Sequence, residues 1–137
     1  MSVYSAAIIG LTGIGAARNK ISPLHRMPRS HAAAYNAHPE TKVMAVCDLR
    51  SEALKDFEKI WSDVWPDLKY YSNYQLMLEE IKPDILSVVT PDNAHADIVI
   101  DGSNSGVPAI LCEKPIATTL PEADLMIHTC EKNGTIL

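Results

Sequence analysis

Residues 6–15 read AAIIGLTGIG. An apolar run stops at Gly10 and a glycine-rich turn follows. Gly10 and Gly15 stand at the outer positions of a G-x-G-x-x-G pattern, and Thr12 occupies the middle one. In a dinucleotide-binding turn the first glycine permits a tight exit from a strand. The second lets backbone approach a pyrophosphate, and the third lets helix and strand pack closely. Thr12 adds a Cβ at the middle position, with a hydroxyl that can donate to a phosphate oxygen. Gly13 is adjacent and can supply the close approach instead. The hexapeptide alone leaves two readings open: a nucleotide turn with one altered residue, or a glycine turn without a ligand.

Working outward, four short apolar runs stand out: AAII (Ala6 to Ile9), VMAVC (Val43 to Cys47), ILSVV (Ile85 to Val89) and AILC (Ala109 to Cys112). They are nearly continuous rather than alternating, as strands covered on both faces are. KYY (Lys69 to Tyr71) is a weaker strand candidate, and TIL (Thr135 to Leu137) reads as a further strand beginning. Between them lie helical patterns. Ser51 is placed to cap a helix with apolar positions Ala53, Leu54, Phe57, Ile60 and Trp61. Tyr74, Met77, Leu78 and Ile81 repeat the spacing. A third helix is expected from about His95 to Ser105, ended by Gly106. A fourth has Thr119 three residues before Glu122, a capping box, and ends before Gly134. Strand alternating with helix predicts an α/β domain with a Rossmann-type, doubly wound parallel sheet in three αβα layers.

The first crossover is irregular. Pro23 and Pro28 fall where its helix is due, and HAAAYNAH (His31 to His38) regains helical character. Residues 16–30 are therefore read as a loop inserted after the glycine turn.

A distinctive residue follows each main run: Gly10 after the first, Asp48 after the second, Thr90 after the third, Glu113 and Lys114 after the fourth. Open parallel sheets bind ligands at the carboxyl ends of their strands. Asp48 fits the acid that hydrogen-bonds a ribose. The usual separation from the glycines is roughly 20 residues. Here Asp48 lies 38 residues beyond Gly10, an excess the inserted loop largely accounts for. The alternative for Asp48 is a simple turn residue. Arg50 suits a 2′-phosphate, which Asp48 would repel, so NAD is favoured and NADP is the alternative. Lys114, beside Glu113, is poised to hydrogen-bond a substrate oxygen during hydride transfer, or else is a surface lysine before a turn proline.

Composition narrows the class. The 137 residues carry a net charge of −5 and are 47% hydrophobic, one domain with enough chain to bury a core. No apolar run reaches the roughly 20 residues that span a bilayer, and no signal peptide is evident, so a cytoplasmic location is expected. Arg18, Lys20, Arg26 and Arg29 precede the first acid, Glu40. They form either a solvated basic loop or a positive environment for phosphate. The acidic remainder argues against nucleic acid as a partner. Cys47, Cys112 and Cys130 form no C-x-x-C pair and read as reduced thiols, and the histidines lack zinc spacing, so no metal is expected.

Taken together, these residues resemble the N-terminal domain of the Gfo/Idh/MocA (glucose–fructose oxidoreductase/inositol dehydrogenase) family. The matching pieces are AAIIGLTGIG, HAAAYNAHPETKVMAVCDLR, VVTPDNAHADIVIDGSNSGVPAILCEKP and EADLMIHTCEKNGTIL, with CEKP before a capped helix the most specific. The resemblance implies a bound nicotinamide dinucleotide and hydride transfer at a hydroxyl-bearing carbon of a sugar or cyclitol. By position, Gly10, Thr12, Gly13 and Ile14 would line the pyrophosphate, and Asp48, Leu49 and Arg50 would surround the adenosine ribose. Thr90, Pro91 and His95 would lie along the nicotinamide half. Glu113 and Lys114 would reach the nicotinamide ribose, Lys114 also touching substrate as the catalytic residue.

Thr12, Asp92 in place of an asparagine after TP, and the 16–30 insertion depart from the family pattern. The family's second α/β domain supplies most of the substrate pocket, the proton-transfer residues and much of the dimer interface. Residues 1–137 are therefore expected to be a nucleotide-binding domain without the substrate domain, a separately produced or truncated piece, binding cofactor but not turning over alone. A homo-oligomer is compatible with the resemblance. Two rivals stay open: a non-catalytic dinucleotide sensor or assembly module, and a flavodoxin-like regulatory domain with no dinucleotide.

Overall fold

The computed structural model of the protein describes residues 3–18 and 27–137. Five strands form one parallel sheet: β1 (Tyr4–Ile9), β2 (Thr41–Cys47), β3 (Lys69–Tyr71), β4 (Ile85–Val88) and β5 (Ala109–Cys112). Their spatial order is β3-β2-β1-β4-β5. All four expected apolar runs are strands, and so is KYY. The last residues begin to add to the open edge of β5, where Ile136 bridges Ala109 in parallel.

β1 starts before its apolar run because Asp84, just ahead of β4, holds it. The Ser5 N–H and hydroxyl donate to one Asp84 carboxylate oxygen at 2.8 and 2.7 Å. The β1/β2 register shifts between Ala6 and Ala7, an irregularity inside the ladder.

Five helices cover the sheet: α1 (His31–Ala37), α2 (Ser51–Trp61), α3 (Tyr74–Ile81), α4 (His95–Asn104) and α5 (Leu120–Asn133). The two faces of each strand feed different cores, which is why the runs are apolar at every position. Ala6, Ile8, Val43 and Val46 pack with Ala32 of α1 and Phe57 and Trp61 of α2. Ala7, Ile9, Leu86, Val88 and Ile110 pack with Met77 of α3, Val99 of α4 and Met126 of α5. This is the three-layer αβα arrangement.

The capping box at Thr119 and Glu122 is present, and Gly134 ends α5 in the left-handed region at φ 73°. Gly106 follows α4 at φ 85°. Ser51 does not cap α2. The cap position is Arg50, whose guanidinium has no acceptor to offer the first helical N–H groups, while its own N–H donates to Asp48 at 2.9 Å.

The first crossover departs most from the sequence pattern. The glycine turn leads into a 3-10 turn, Gly13–Gly15, and among the described residues the next helix is α1, capped by Ser30. Residues 19–26 of the expected insertion, with Lys20, Pro23 and Arg26, lie outside the described residues. The exit of the turn is held from two sides. The Trp61 indole N–H donates to the Ala16 carbonyl at 2.7 Å, and the Ser30 hydroxyl donates to the Ala17 carbonyl at 2.6 Å. Trp61 also stacks on Trp65 with ring centroids 4.8 Å apart. Trp61→Phe keeps an aromatic ring but strands a buried carbonyl, so urea unfolding is expected to report a loss of about 1–3 kcal/mol. An unchanged midpoint would mean that this bond contributes nothing.

Candidate functional site

β1 pairs with β2 on one side and β4 on the other, so the winding direction reverses between β1 and β4. A crevice must open there, since successive crossovers leave toward opposite faces. A groove of about 600 Å³ occupies the carboxyl side of this point. Gly10, Thr12, Asp48, Leu49, Arg50, Thr90 and Pro91 line it, joined by Tyr74, Asn93, Ala94 and Asp97. The sequence reading did not single out those last four. Its volume lies inside the usual range for small-molecule sites.

Gly10 is tied into the sheet by its own N–H, which donates to the Cys47 carbonyl at 2.9 Å. Thr12 is extended, at φ −116° and ψ 156°, with its hydroxyl uninvolved in capping the 3-10 turn. The first N–H groups of such a turn have no partner within it. Among the described residues the glycines open only this 3-10 turn, so an anion there would be met by turn amides and not by a full helix dipole. A Cβ built on Gly13 meets nothing within 4 Å, so this side of the turn is open.

Asp48 is 9% exposed. One carboxylate oxygen accepts the Leu11 N–H at 2.9 Å. Arg50 bonds both oxygens, its Nε at 3.2 Å and its terminal nitrogen at 3.3 Å. Burial pushes the carboxyl up. The Arg50 hydrogen bonds, the Leu11 amide and the Arg50 charge together outweigh it, and hold Asp48 below the usual carboxylate range. The Leu11 bond joins the acid to the glycine turn, whereas the Arg50 side chain covers the carboxylate from the solvent side and is 62% exposed. Beside them Cys47 is a free thiol, pushed up to about 12 by burial and by Asp48.

The Thr90 hydroxyl is buried in the groove wall without a hydrogen-bond partner among the described residues. A stranded buried polar atom is a cost that a ligand can remove. Asp92 opens a short 3-10 turn and spends one oxygen on the Asn93 N–H at 2.9 Å. Asn93 lines the groove, so the amide side chain is one residue on from the position the family pattern suggests.

The remaining sequence-derived residues lie off this groove. His95 is 1% exposed. Its ring nitrogens lie 2.9 Å from the Thr90 and Pro115 carbonyl oxygens. It is a brace beneath the rim and not a groove contact, because both polar atoms are spent. Ile14 borders a second, shallower hollow of about 470 Å³ with Arg29, Tyr35 and Leu111. Glu113 and Lys114 stand at the end of β5, next to β4, where the Glu113 N–H donates to the Val88 carbonyl at 3.0 Å. Lys114 is exposed.

Of the basic region, Lys20 and Arg26 lie outside the described residues. Arg18 reaches toward α2, donating to the Ile60 carbonyl at 2.8 Å and to Asp63 at 2.7 Å. Its guanidinium lies 5.2 Å above the Trp61 ring.

A second polar cluster was missed. His31 sits between Ser87 of β4, 2.9 Å from its Nδ1, and Glu113, 3.0 Å from its Nε2. Tyr35 reaches the same Ser87 hydroxyl at 2.7 Å. The one available signal was a histidine directly after a helix cap, and ILSVV hides Ser87 in an apolar run.

Among the described residues no helix is long and apolar enough to cross a membrane, and no group of three His, Cys, Asp or Glu could hold a metal.

Known proteins share this arrangement. The pattern of an oxidoreductase family with an NAD-binding Rossmann fold, Gfo/Idh/MocA, matches residues 5–137. D-glucoside 3-dehydrogenase of Escherichia coli is 35% identical over 109 residues, covering 78% of this chain and 29% of that protein. The WlbA dehydrogenase of Bordetella pertussis, solved with NADH and UDP-GlcNAcA, superposes with a TM-score of 0.76 at 21% identity, over 97% of this chain and 35% of its own. KijD10, a 3-ketoreductase from Actinomadura kijaniata solved with NADP, gives 0.78 at 23% identity, over 99% and 38%. The chain thus spans about a third of the length of these relatives.

Proposed function

The chain belongs to the Gfo/Idh/MocA oxidoreductase family, and from that membership we propose that it is the dinucleotide-binding part of a dehydrogenase acting on a hydroxyl-bearing carbon of a sugar or cyclitol. The observation that supports this most is the groove at the β1/β4 reversal. It joins a glycine turn, an ionised Asp48 and an unpartnered Thr90 hydroxyl along one wall. A nicotinamide dinucleotide, when bound, accepts or donates the hydride.

The chain's own residues bind and orient. The glycine turn and the Thr12 hydroxyl meet the pyrophosphate, with Gly13 leaving room for backbone approach. Asp48 takes the adenosine ribose, its hydroxyls replacing the exposed Arg50 guanidinium on the carboxylate. Thr90, Pro91 and Glu113 border the nicotinamide half. Lys114 holds the reacting oxygen of the substrate. Most of the rate such a site gains comes from holding the two reactants in contact. Residues 1–137 alone bind cofactor without turning over. Substantial rates with sugars or cyclitols in a steady-state assay would overturn that.

NAD is the preferred form. The Leu11 amide fixes Asp48 at the groove floor whichever way Arg50 points, so its charge meets any 2′-phosphate. Calorimetry is expected to give NADH at least roughly tenfold tighter binding than NADPH, with Asp48→Asn narrowing the gap. Equal affinities in the wild type would assign the recognition to Arg50. No heat with either nucleotide at high concentration would favour a domain without a dinucleotide.

A further inference from the structure

Of the polar cluster around His31 only Glu113 enters the reading above. The cluster runs from α1 over Ser87 of β4 to the end of β5. Ser87 is 0% and His31 8% exposed, so no substrate reaches the serine. Its likeness to a nucleophile–histidine–acid set therefore carries no hydrolytic chemistry.

The bonds run in one direction. Glu113 is held below the usual carboxylate range, chiefly by its hydrogen bond to His31, so it is ionised and only accepts. The bond at 3.0 Å therefore requires a proton on His31 Nε2. In the neutral ring Nδ1 then accepts from the Ser87 hydroxyl, and Ser87 accepts from Tyr35. Each donor points toward Glu113. The other Glu113 oxygen receives the Lys114 backbone N–H at 3.2 Å. Both carboxylate oxygens are thus pinned, one from the protein interior and one from the base of Lys114.

The position of His31 in the chain adds to this. It directly follows Ser30, whose hydroxyl both caps α1 and holds the Ala17 carbonyl. One turn of α1 therefore reaches the exit of the glycine turn through Ser30 and the rim at β5 through His31. The exit of the glycine turn and the rim at β5 are referenced to the same piece of backbone.

We propose that His31 is a positioning residue for the nicotinamide end of the groove, holding the Glu113 carboxylate, and with it the base of Lys114, at one place on the rim. This rests on the dinucleotide reading above. Its consequence is a split between the two halves of the ligand. ADP occupies only the adenosine and pyrophosphate half, whereas NADH also needs the rim at Glu113.

The test is calorimetric titration of the protein with NADH and with ADP, for the wild type, His31→Ala, His31→Gln and Ser87→Ala. His31→Ala is expected to weaken NADH by roughly tenfold, the scale of one charge-assisted hydrogen bond. ADP should stay within about twofold. His31→Gln restores an N–H toward Glu113 and should recover NADH binding to within about threefold. Ser87→Ala removes the Nδ1 anchor while filling the same space. It should weaken NADH by about threefold and leave ADP alone, so the proposal stays testable if His31→Ala fails to fold. Parallel losses of NADH and ADP in the variants, or no loss of either, overturn the positioning role and leave the dinucleotide reading standing. A wild-type protein that binds neither nucleotide overturns that reading, and the positioning role with it.

Discussion

Gly10→Ala is expected to lose about 2–4 kcal/mol of stability and, where it still folds, to bind NADH at least roughly tenfold more weakly. Two costs act at one atom. Gly10 sits at φ +96°, a conformation that side chains rarely adopt. A Cβ there would also lie 2.5 Å from the Val89 carbonyl oxygen, 2.6 Å from its carbon and 2.8 Å from the Thr90 nitrogen. These are backbone atoms of the neighbouring strand end, so no rotamer change relieves the clash. The relief available is to spread β1 from β4, which opens the reversal point and moves the Thr90 wall of the groove.

Two companion substitutions separate the causes. Gly15→Ala brings its Cβ against the Gly10 carbonyl oxygen without a positive φ at its own position, so it tests crowding alone. Gly13→Ala carries the positive φ of +51° with no neighbour within 4 Å, so it tests backbone strain alone. It should cost about 1–2 kcal/mol. Urea unfolding of the three variants gives the ordering. If Gly13→Ala proved as damaging as Gly10→Ala, the close approach of β1 and β4 would not be what the first glycine serves.

The contrast also explains what could be read from the sequence. The strand runs were legible because burial on both faces leaves few polar positions to confuse the pattern, and KYY was weak because an edge strand of three residues buries little. The carboxyl-end residues Gly10, Asp48 and Thr90 were legible as a set because parallel topology brings strand ends to one rim. What escaped depends on three-dimensional approach. His31 and Tyr35 share one face of α1 at i,i+4 spacing, but Ser87 and Glu113 are far from them in the chain, and nothing in the sequence pairs them with that face. For Arg18 the sequence left a solvated loop and a phosphate environment both open, because the stacked indoles and Asp63 that hold it come from a distant helix and its end. The burial of His95 was not legible because position along the chain does not report burial. The Leu11 and Arg50 partners of Asp48 were not legible either, since backbone approach decides them.

Lys114→Ala is expected to separate chemistry from binding. In the polypeptide extended to the length of its relatives, kcat should fall by roughly 10²–10⁴, the range for removing a group that shares in proton movement at the reacting oxygen. The affinity for NADH should stay within about threefold. The reason lies in how Lys114 is held. Its backbone N–H is fixed on Glu113, and the next carbonyl, that of Pro115, is bonded by His95 at 2.9 Å. The base of the side chain is thus rigid on both sides, while the ammonium is exposed and makes no ion pair among the described residues. A lysine whose stem is fixed and whose charge is unspent is placed to meet a substrate rather than to hold the fold. Removing it should leave the urea midpoint near that of the wild type, unlike Gly10→Ala. Lys114→Arg should not restore the rate, since a planar guanidinium with a longer reach cannot occupy the ammonium's place and does not give up its proton. Full turnover in Lys114→Ala would remove Lys114 from the chemistry, whereas an extended wild type that binds NADH without turning over any sugar or cyclitol would assign the groove to sensing or assembly.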